Sequence, residues 1–366
     1  MRNKKILFIV TSLEVGGLET YLLRFLEFSN NKINATVFCK SGRGGILEKK
    51  YSRLGVTIVK YEFGYFPISS SLKLYNFLTK EKFDTVCDFT GDFAGLTLLL
   101  ARLANIENRL SNYRSSEHRF NQDIFRMFYN RIVNFLVYKN ATKILSNSQA
   151  ALDFFYPDWK KNKKKFQIIR NGVPIKLFSA KFDKRKLRSE LGIPDDAFLI
   201  GHVARFHSSK NHRTIIKVAE HLCYKYNKVY FLLCGLGVQE GMTNLIEIGK
   251  ARNKIIMPGL RHDIPNVLRI MDAYYFPSLV EGQPNALLEA AMVGLPFVAS
   301  NIKTIKETIP INFHDCLVPP EDSDSAIAIL STFIEGTSKK NFLDIKNFAQ
   351  NEFNAEMKFN QFLKEL

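Results

Sequence analysis

Two carboxylates stand eight positions apart in the segment 277–290, which reads PSLVEGQPNALLEA. Glu281 follows a short apolar run, and Glu289 falls about one turn inside a helix predicted over 285–293. Pro284 suits the first helical position, and long helical side chains lean toward the helix N-terminus. Both carboxylates should therefore serve one pocket at that end, where free N–H groups favour a phosphate. Two hydroxyl-binding acids beside a phosphate site predict a nucleotide-sugar ligand, with the sugar on one acid and the ribose on the other.

Two cations, Arg205 and Lys210, follow a strand predicted over 198–204. An arginine can bind a phosphate through two N–H groups, and a lysine adds a point charge. Taken in isolation, two solvated surface cations would be the simpler interpretation. Their position at the end of a strand favours phosphate binding instead, because ligands of parallel sheets bind at the carboxyl ends of the strands. We expect this pair to neutralise a leaving diphosphate.

Three glycine-containing loops also follow predicted strands. Gly16 and Gly17 open the first predicted helix, Gly235 follows a strand over 229–234, and Leu260 and Arg261 follow a strand over 255–257. Glycine lets a backbone approach a phosphate or a flat base closely, but each of these loops could equally be a plain tight turn. Gly16-Gly17-Leu18-Glu19 is not the Gly-x-Gly-x-x-Gly pattern of a dinucleotide-binding loop. Glu19 is expected to order the loop.

Two further segments have functional and structural interpretations. His118 follows a strand-like segment over 109–113; a histidine there could contact a sugar hydroxyl, although a lone histidine is more often structural. The run 160–165, KKNKKK, reads as a solvated loop by default, and contact with anionic lipid headgroups is the alternative. No helix-turn-helix, zinc-finger or basic-zipper pattern appears, so sequence-specific DNA binding is disfavoured.

Length and composition limit the class of protein. The 366 residues suggest two domains, and 46% hydrophobic with 24% charged residues is ordinary for a globular chain. The net charge of +17 favours an anionic substrate or surface, with a solubility role as the alternative. Five scattered cysteines form no metal or disulfide pattern and fit a reducing cytosol. Neither a signal peptide nor a transmembrane segment is recognisable, which predicts a cytoplasmic protein.

Buried strands alternate with helical patterns along the whole chain, which predicts an α/β fold with doubly wound parallel sheets. The alternation breaks at Asn171-Gly172-Val173-Pro174 and restarts near residue 198. The predicted organisation is a Rossmann-like domain over 1–172, a linker over 173–197, a second Rossmann-like domain over 198–345, and a C-terminal helix over 346–366 that crosses back to the first domain. The two domains are expected to face each other across a cleft.

Taken together, these segments resemble the retaining glycosyltransferases of family 4, which have the GT-B fold. The resemblance is most specific over 259–300, where GLRHDIPNVL leads into MDAYYFPSLVEGQPNALLEAAMVGLPFVAS. The Gly-Gly-x-Glu loop, the Arg205/Lys210 pair and the Asn-Gly-Val linker add to it in the expected order. Enzymes that build bacterial capsule, exopolysaccharide or lipopolysaccharide are the most similar. Gln283-Pro284 replaces the commoner Phe-Gly after Glu281-Gly282.

The resemblance implies a role for each of these residues. Glu281 would contact the donor sugar, Glu289 the ribose, and His118 the donor-sugar pocket. The diphosphate and base would be held by the remaining predicted donor-binding residues, which are Arg205, Lys210, Gly235, Leu260, Arg261, Asn285, Ala286 and Leu287. Gly16 and Gly17 would let the first domain close onto donor and acceptor. The residues predicted to act in catalysis are Glu281, His118, Arg205 and Lys210.

The resemblance also implies the reaction. The donor would be a UDP- or GDP-linked sugar, and the acceptor a glycan or a polyprenyl-diphosphate-linked glycan. The family retains anomeric configuration through an oxocarbenium-like transition state and needs no metal or other cofactor, because the two cations stabilise the leaving diphosphate. The basic first domain is expected to meet the inner face of the membrane peripherally. No nucleic-acid partner is expected.

Two alternatives remain open from the sequence. A nucleotide-sugar 2-epimerase has a similar twin-domain architecture, but it should lack the two-glutamate signature in this form. A non-catalytic glycan- or lipid-binding subunit would have a degenerate site, against which the presence of Glu281, Arg205, Lys210 and Glu289 argues.

Overall fold

The computed structural model describes residues 3–64, 68–117, 124–242 and 251–366. The chain forms two compact units. The first contains residues up to Gly172 together with Glu356–Leu366, and the second contains Val173–Ala355. Each unit has a parallel sheet with helices on both sides, so the predicted α/β class with doubly wound sheets is confirmed.

The first unit contains a seven-stranded parallel sheet in the order β3-β2-β1-β4-β5-β6-β7. The strand order reverses between β1 and β4, which makes this point the topological switch of the sheet. The strands are β1 (Lys4–Val10), β2 (Ile33–Cys39), β3 (Thr57–Lys60), β4 (Thr85–Asp88), β5 (Asn108–Tyr113), β6 (Lys143–Ser146) and β7 (Phe166–Ile168). The helices are α1 (Gly17–Phe28), α2 (Glu48–Arg53), α3 (Ile68–Glu81), α4 (Gly95–Leu103), α5 (Ile124–Asn140) and α6 (Gln149–Phe155).

The second unit contains a six-stranded parallel sheet in the order β10-β9-β8-β11-β12-β13, with its switch point between β8 and β11. The strands are β8 (Phe198–Val203), β9 (Val229–Cys234), β10 (Ile255–Gly259), β11 (Ala273–Phe276), β12 (Phe297–Ser300) and β13 (Leu317–Val318). The helices are α7 (Lys184–Glu190), α8 (His212–Lys225), α9 (Val238–Met242), α10 (Ile264–Ile270), α11 (Asn285–Val293), α12 (Lys303–Lys306), α13 (Ser323–Ile334) and α14 (Phe342–Glu352).

The strands are continuous apolar runs because helices cover both faces of each sheet. In β1, the residues from Ile6 to Val10 are all buried, and in β11 all four residues are buried. The last helix, α15 (Ala355–Glu365), packs on the first unit. Its Phe359 and Phe362 rings contact Phe25 of α1, with centroids 5.8 and 4.7 Å away.

Two domain boundaries in the structure differ from the sequence prediction. The chain returns to the first unit at Glu356 rather than at residue 346, and 173–197 is part of the second unit rather than a separate linker. The charges of this segment suggest solvent exposure, but the Arg188 guanidinium is buried. It donates to the carbonyl oxygens of Ala197 and Ile270 at 3.0 and 2.9 Å and pairs with Asp272 at 2.7 Å. An internally satisfied arginine therefore fixes α7 to the second sheet.

Within the described ranges, no helix is both long enough and apolar enough to cross a membrane.

Candidate active site

The candidate site lies on the second unit, at the switch point of its sheet. Because β8 and β11 are neighbours, the loops that follow them lie side by side. The Leu279 amide donates to the Ser209 carbonyl at 2.8 Å, and the Asn211 side-chain amide donates to the carbonyls of Pro277 and Pro320 at 3.3 and 2.8 Å. The loops after β8, β11 and β13 are thereby held together at the carboxyl edge of the sheet.

Lys210 and Glu281 form an ion pair across these two loops. Their side chains are 19% and 11% exposed, so the pair is mostly buried but still open to solvent. The Lys210 ammonium lies 5.8 Å from the centre of the Phe276 ring, which provides an apolar floor. The structure therefore brings together two residues that the sequence separates by 71 positions.

Helix α11 begins directly after this pair. Its N-cap is Pro284, whose side chain makes no capping hydrogen bond, and the N–H groups of a first helical turn have no acceptor within the helix. Asn285 and Ala286 are partly exposed there, whereas Leu287 is buried. Glu289 is buried one turn inside the helix. A positive helix end beside Lys210, with a carboxylate in the following turn, is the arrangement expected for an anionic ligand that also carries hydroxyls.

The two predicted arginines differ in how they are held. Arg205 is exposed on the loop after β8, and no described residue forms a hydrogen bond or an ion pair with its guanidinium. Arg261 binds Asp263 through two N–H···O bonds of 2.8 and 2.6 Å. The hydrogen bond from Arg261 is also the main reason that the pKa of Asp263 is lowered. Arg261 thus stabilises the loop before α10, with Leu260 partly exposed beside it.

Gly235 has a clear structural role at this edge. A side-chain carbon added there would fall 1.8 Å from the Ala204 carbonyl oxygen, closer than any real contact. The Gly235 amide donates to the Gly259 carbonyl at 2.9 Å, and the Ala204 amide donates to the Cys234 carbonyl at 2.9 Å. The glycine therefore lets the loops after β8, β9 and β10 lie against one another, which supports the tight-turn interpretation; its predicted ligand contact stays a prediction.

Sequence reasoning missed a buried histidine pair next to the Lys210–Glu281 pair. The His202 and His212 rings are 5.4 Å apart and perpendicular, and His202 Nδ1 donates to the Tyr275 carbonyl at 2.9 Å. Burial, and then the His212 ring, lowers the pKa of His202 to about 3, while burial lowers the pKa of His212 to about 4. Both rings are therefore neutral near pH 7. The sequence signal for this pair was the segment 201–212, which changes from apolar to polar along its length and has His202 near its start and His212 at its end.

Asn211 was also missed as a functional position. Its backbone is left-handed, with φ of 56°, and its side chain joins three loops as described above. An asparagine directly before a helix was the sequence signal, because asparagine tolerates this conformation better than most residues. We infer that Asn211 positions Lys210, the residue before it.

The remaining predicted residues belong to the first unit. Gly16 is the N-cap of α1 and Gly17 its first residue, at the carboxyl end of β1. The Glu19 carboxylate lies against Gly16, where an added side-chain carbon would fall 2.3 Å from Oε2. The Glu19 carbonyl also accepts a hydrogen bond of 2.7 Å from the Tyr51 hydroxyl. His118 lies outside the described residues. Among the residues that are described, no group of three or more histidine, cysteine or acidic side chains could hold a metal ion.

The comparisons with known proteins agree with this architecture. Residues 15–177 match the family model described as Glycosyltransferase Family 4, and residues 183–350 match the model described as Glycosyl transferases group 1. The chain belongs to the family 4 glycosyltransferases. It is therefore a transferase enzyme, and the resemblance inferred from the segment 259–300 is confirmed.

Among its relatives, this glycosyltransferase is 26% identical to the capsular polysaccharide biosynthesis glycosyltransferase CapH of Staphylococcus aureus, over 83% of each chain. It is 25% identical to the UDP-Gal:alpha-D-GlcNAc-diphosphoundecaprenol alpha-1,3-galactosyltransferase of Escherichia coli, over 72% of this chain and 69% of the relative. The crystal structure of Anabaena HepE in complex with UDP and glucose is similar, with a TM-score of 0.81, 21% identity and 99% of both chains covered. This likeness shows the GT-B fold.

Proposed function

We propose that this glycosyltransferase moves a sugar from a UDP- or GDP-linked donor to a lipid-linked glycan during bacterial surface polysaccharide synthesis. The observation that carries the proposal is the Lys210–Glu281 ion pair beside the N-terminus of α11, with Glu289 buried one turn inside. The diphosphate needs a cation and a helix N-terminus, the sugar needs a carboxylate, and the ribose needs a second carboxylate. The loops after β8 and β11 and the first turns of α11 supply these groups.

The proposed chemistry is electrostatic. As the bond between the anomeric carbon and the diphosphate oxygen breaks, negative charge develops on the diphosphate, and Lys210, Arg205 and the α11 N–H groups stabilise it. The acceptor hydroxyl attacks from the same face, and its proton passes to the departing phosphate oxygen. Glu281 would bind the sugar hydroxyls and hold the Lys210 ammonium. Anomeric configuration is then retained, and the two cations take the part that a metal ion plays elsewhere.

The proposed acceptor class comes from the relatives. The named Escherichia coli relative acts on a diphosphoundecaprenol-linked sugar, and CapH takes part in capsular polysaccharide biosynthesis. The net charge of +17 is consistent with an acceptor that carries a diphosphate and is presented at an anionic membrane surface. The donor sugar and the linkage are to be identified by experiment.

A donor panel tests the proposal. We would measure the thermal shift of the protein with UDP, GDP, ADP and their sugar conjugates. We expect one base to stabilise the wild type, and Glu289→Gln to weaken that binding about tenfold, because the carboxylate is lost from the ribose contact. Glu335→Gln, an exposed glutamate of the same unit, is the matched control.

The same preparation tests the chemical details. Transfer to a soluble diphosphate-lipid analogue should continue in EDTA, and the anomeric configuration of the product, read by NMR, should match that of the donor. An inverted product would disprove the retaining mechanism, and loss of activity in EDTA restored by a divalent ion would disprove metal independence. A protein that no nucleotide stabilises would contradict the donor assignment itself.

A further inference from the structure

Helix α5 of the first unit carries an apolar face that points to solvent. Of the 17 large hydrophobic side chains exposed among the described residues, five lie on this helix: Met127, Phe128, Ile132, Phe135 and Tyr138. No other described element carries more than two. Phe128 and Phe135 are 68% and 60% exposed. At 100° per residue, the five side chains fall within an arc of about 140°. Together they form one continuous stripe, called here the α5 stripe.

The opposite face of α5 already has its packing partners. Val133 and Val137 are buried, and an added side-chain carbon at Gly95 of α4 would fall 2.8 Å from Leu136 and 2.9 Å from the Val133 carbonyl. The helix is therefore fixed closely to α4 by its inner face. Tyr138, at the C-terminal end of the α5 stripe, packs on Phe166 of β7, whereas the described part of the first unit leaves the other four side chains of the stripe exposed. Exposed apolar patches of this kind mark interaction sites.

The charges around the α5 stripe are positive. Helix α5 contains no acidic residue, and Arg131 and Lys139 are exposed within the same arc as the stripe. Lys165 lies next to the stripe, with its ammonium 4.7 Å from the centre of the Tyr138 ring, and the Tyr138 ring stacks on Phe166 at 6.2 Å. The basic segment 160–165 therefore continues directly from the C-terminal end of the stripe.

The basic segment 160–165 keeps a net positive charge even when the two aspartates that pair with its lysines are counted. Residues 153–165 contain five lysines and two aspartates, which leaves a net charge of +3. Lys161 pairs with Asp158 at 2.7 Å and Lys160 approaches Asp153 at 3.9 Å, and both pairs are exposed. Lys163 and Lys164 extend into solvent.

We propose that the α5 stripe and the adjoining lysines form the surface by which this enzyme binds an anionic lipid bilayer. An interfacial helix lies in the plane of the membrane with aromatic and aliphatic side chains inserted, while nearby basic residues attract anionic headgroups. The stripe supplies two phenylalanines, a tyrosine, a methionine and an isoleucine, and the charge has the complementary sign. Membrane binding would bring the enzyme to a lipid-linked acceptor, and only this benefit rests on the proposed function.

The test uses the full chain and vesicles of phosphatidylethanolamine with phosphatidylglycerol, compared with phosphatidylcholine vesicles. Trp159 is the single tryptophan of the chain; it lies between the stripe and the lysines in sequence, and its ring centre is 5.8 Å from the Lys160 ammonium. Its emission should shift to shorter wavelength on anionic vesicles. The double variant Phe128→Ser/Phe135→Ser should bind these vesicles about tenfold more weakly or worse, because inserted apolar area sets the affinity of such helices. Lys163→Gln/Lys164→Gln should mainly reduce the dependence of binding on salt.

The matched control is Ile68→Ser/Leu72→Ser, which removes two exposed apolar side chains from α3 of the same unit and should bind vesicles as the wild type does. Nucleotide-induced thermal shifts of all variants show whether the donor site is intact, so that a failed donor assignment is separable from a failed membrane assignment. Wild-type binding by the α5 variant would overturn the proposal. Light scattering provides a second way to overturn it. If the wild type were a dimer, the Phe128→Ser/Phe135→Ser variant a monomer, and the monomer unable to bind vesicles, the stripe would be a self-association surface.

Discussion

Each unit of this glycosyltransferase has a lysine–carboxylate pair at the carboxyl edge of its sheet, and the two pairs differ in how they are satisfied. In the first unit, Lys40 follows β2 and Asp88 ends β4. The Lys40 ammonium donates to Asp88, to the Thr90 hydroxyl and to the Phe93 carbonyl at 2.8–2.9 Å. Asp88 also accepts from the Thr90 amide and from the Thr97 hydroxyl. The side chains of this pair are 9% and 0% exposed.

The second pair, Lys210 with Glu281, is open to solvent on one side and stands beside the N-terminus of α11. The comparison suggests a general distinction. An ion pair whose donors and acceptors are all hydrogen-bonded within the protein holds loops in place. An ion pair that is accessible to solvent can instead form hydrogen bonds with a ligand. The first pair should therefore govern stability and the second should govern turnover.

The largest expected effect is on the pair in the first unit. Asp88→Ala should lower the free energy of unfolding by about 3–5 kcal/mol, because it leaves the Lys40 ammonium buried without its counter-charge. Urea unfolding followed by circular dichroism measures this. Asp158→Ala, which removes an 80% exposed carboxylate of the same unit, should change stability by less than about 0.5 kcal/mol. Equal small losses in the two variants would refute the distinction.

The next effect is on turnover in the second unit. Lys210→Met should reduce kcat by roughly 10²–10³-fold, because a preorganised cation is lost from the leaving diphosphate. Steady-state kinetics with the identified donor measures this. Lys225→Gln, which removes an exposed lysine of α8 that approaches Glu335 at 3.9 Å, should leave kcat unchanged. A Lys210→Met enzyme that loses stability but keeps its kcat would make this pair structural as well.

A third expectation concerns pH. Burial lowers the pKa of His202 to about 3 and that of His212 to about 4, so the unfolded chain binds more protons than the folded one below about pH 6.5. The contribution of the two rings to the free energy of unfolding should be fully present above that pH. It should fall as the pH is lowered toward 4, by up to about 1.4 kcal/mol per pH unit for each ring. His202→Asn keeps a donor for the Tyr275 carbonyl and should reduce this slope in urea unfolding between pH 4.5 and pH 7 (roughly the window of the lowered pKa values). An unchanged slope would show that other groups cause the acid sensitivity.

The smallest effect separates the two arginines. Arg205 is exposed and held by no described side chain, whereas Arg261 is fixed by Asp263. Arg205→Gln should weaken diphosphate-sugar binding about tenfold with an unchanged Tm. Arg261→Gln should lower Tm with a smaller effect on binding. Calorimetric titration together with thermal unfolding compares the two, and the reverse pattern would exchange their roles.

The strands and the region of the candidate site could be predicted from the sequence because both leave local patterns. A strand of a covered parallel sheet is a continuous apolar run, so the predictions over 198–204 and 229–234 lie within one residue of β8 and β9. The two-residue β13 is too short to show a pattern. Helix α5 was not predicted, because its apolar residues lie on both its inner and its outer faces and the helical period is lost.

The residues of the candidate site could be predicted from the sequence, but the contacts between them could not. The positions of Glu281 and Glu289 around one helix start follow from their spacing. The Lys210–Glu281 ion pair does not, because it depends on β8 and β11 being neighbours in the sheet. The histidine pair depends on the same neighbourhood, since His202 donates to a carbonyl of β11. Long-range contacts of this kind are properties of the topology, and no local pattern encodes them.

The packing of α15 on the first unit has a consequence for biosynthesis. Phe359 and Phe362 fill the aromatic layer next to α1, and the Leu366 carbonyl accepts a hydrogen bond of 2.6 Å from the Thr85 hydroxyl of β4. These residues are translated after the whole second unit. The second unit can therefore fold while the chain is still being synthesised, whereas the first unit, although it is made first, keeps part of its core uncovered until α15 has also been synthesised.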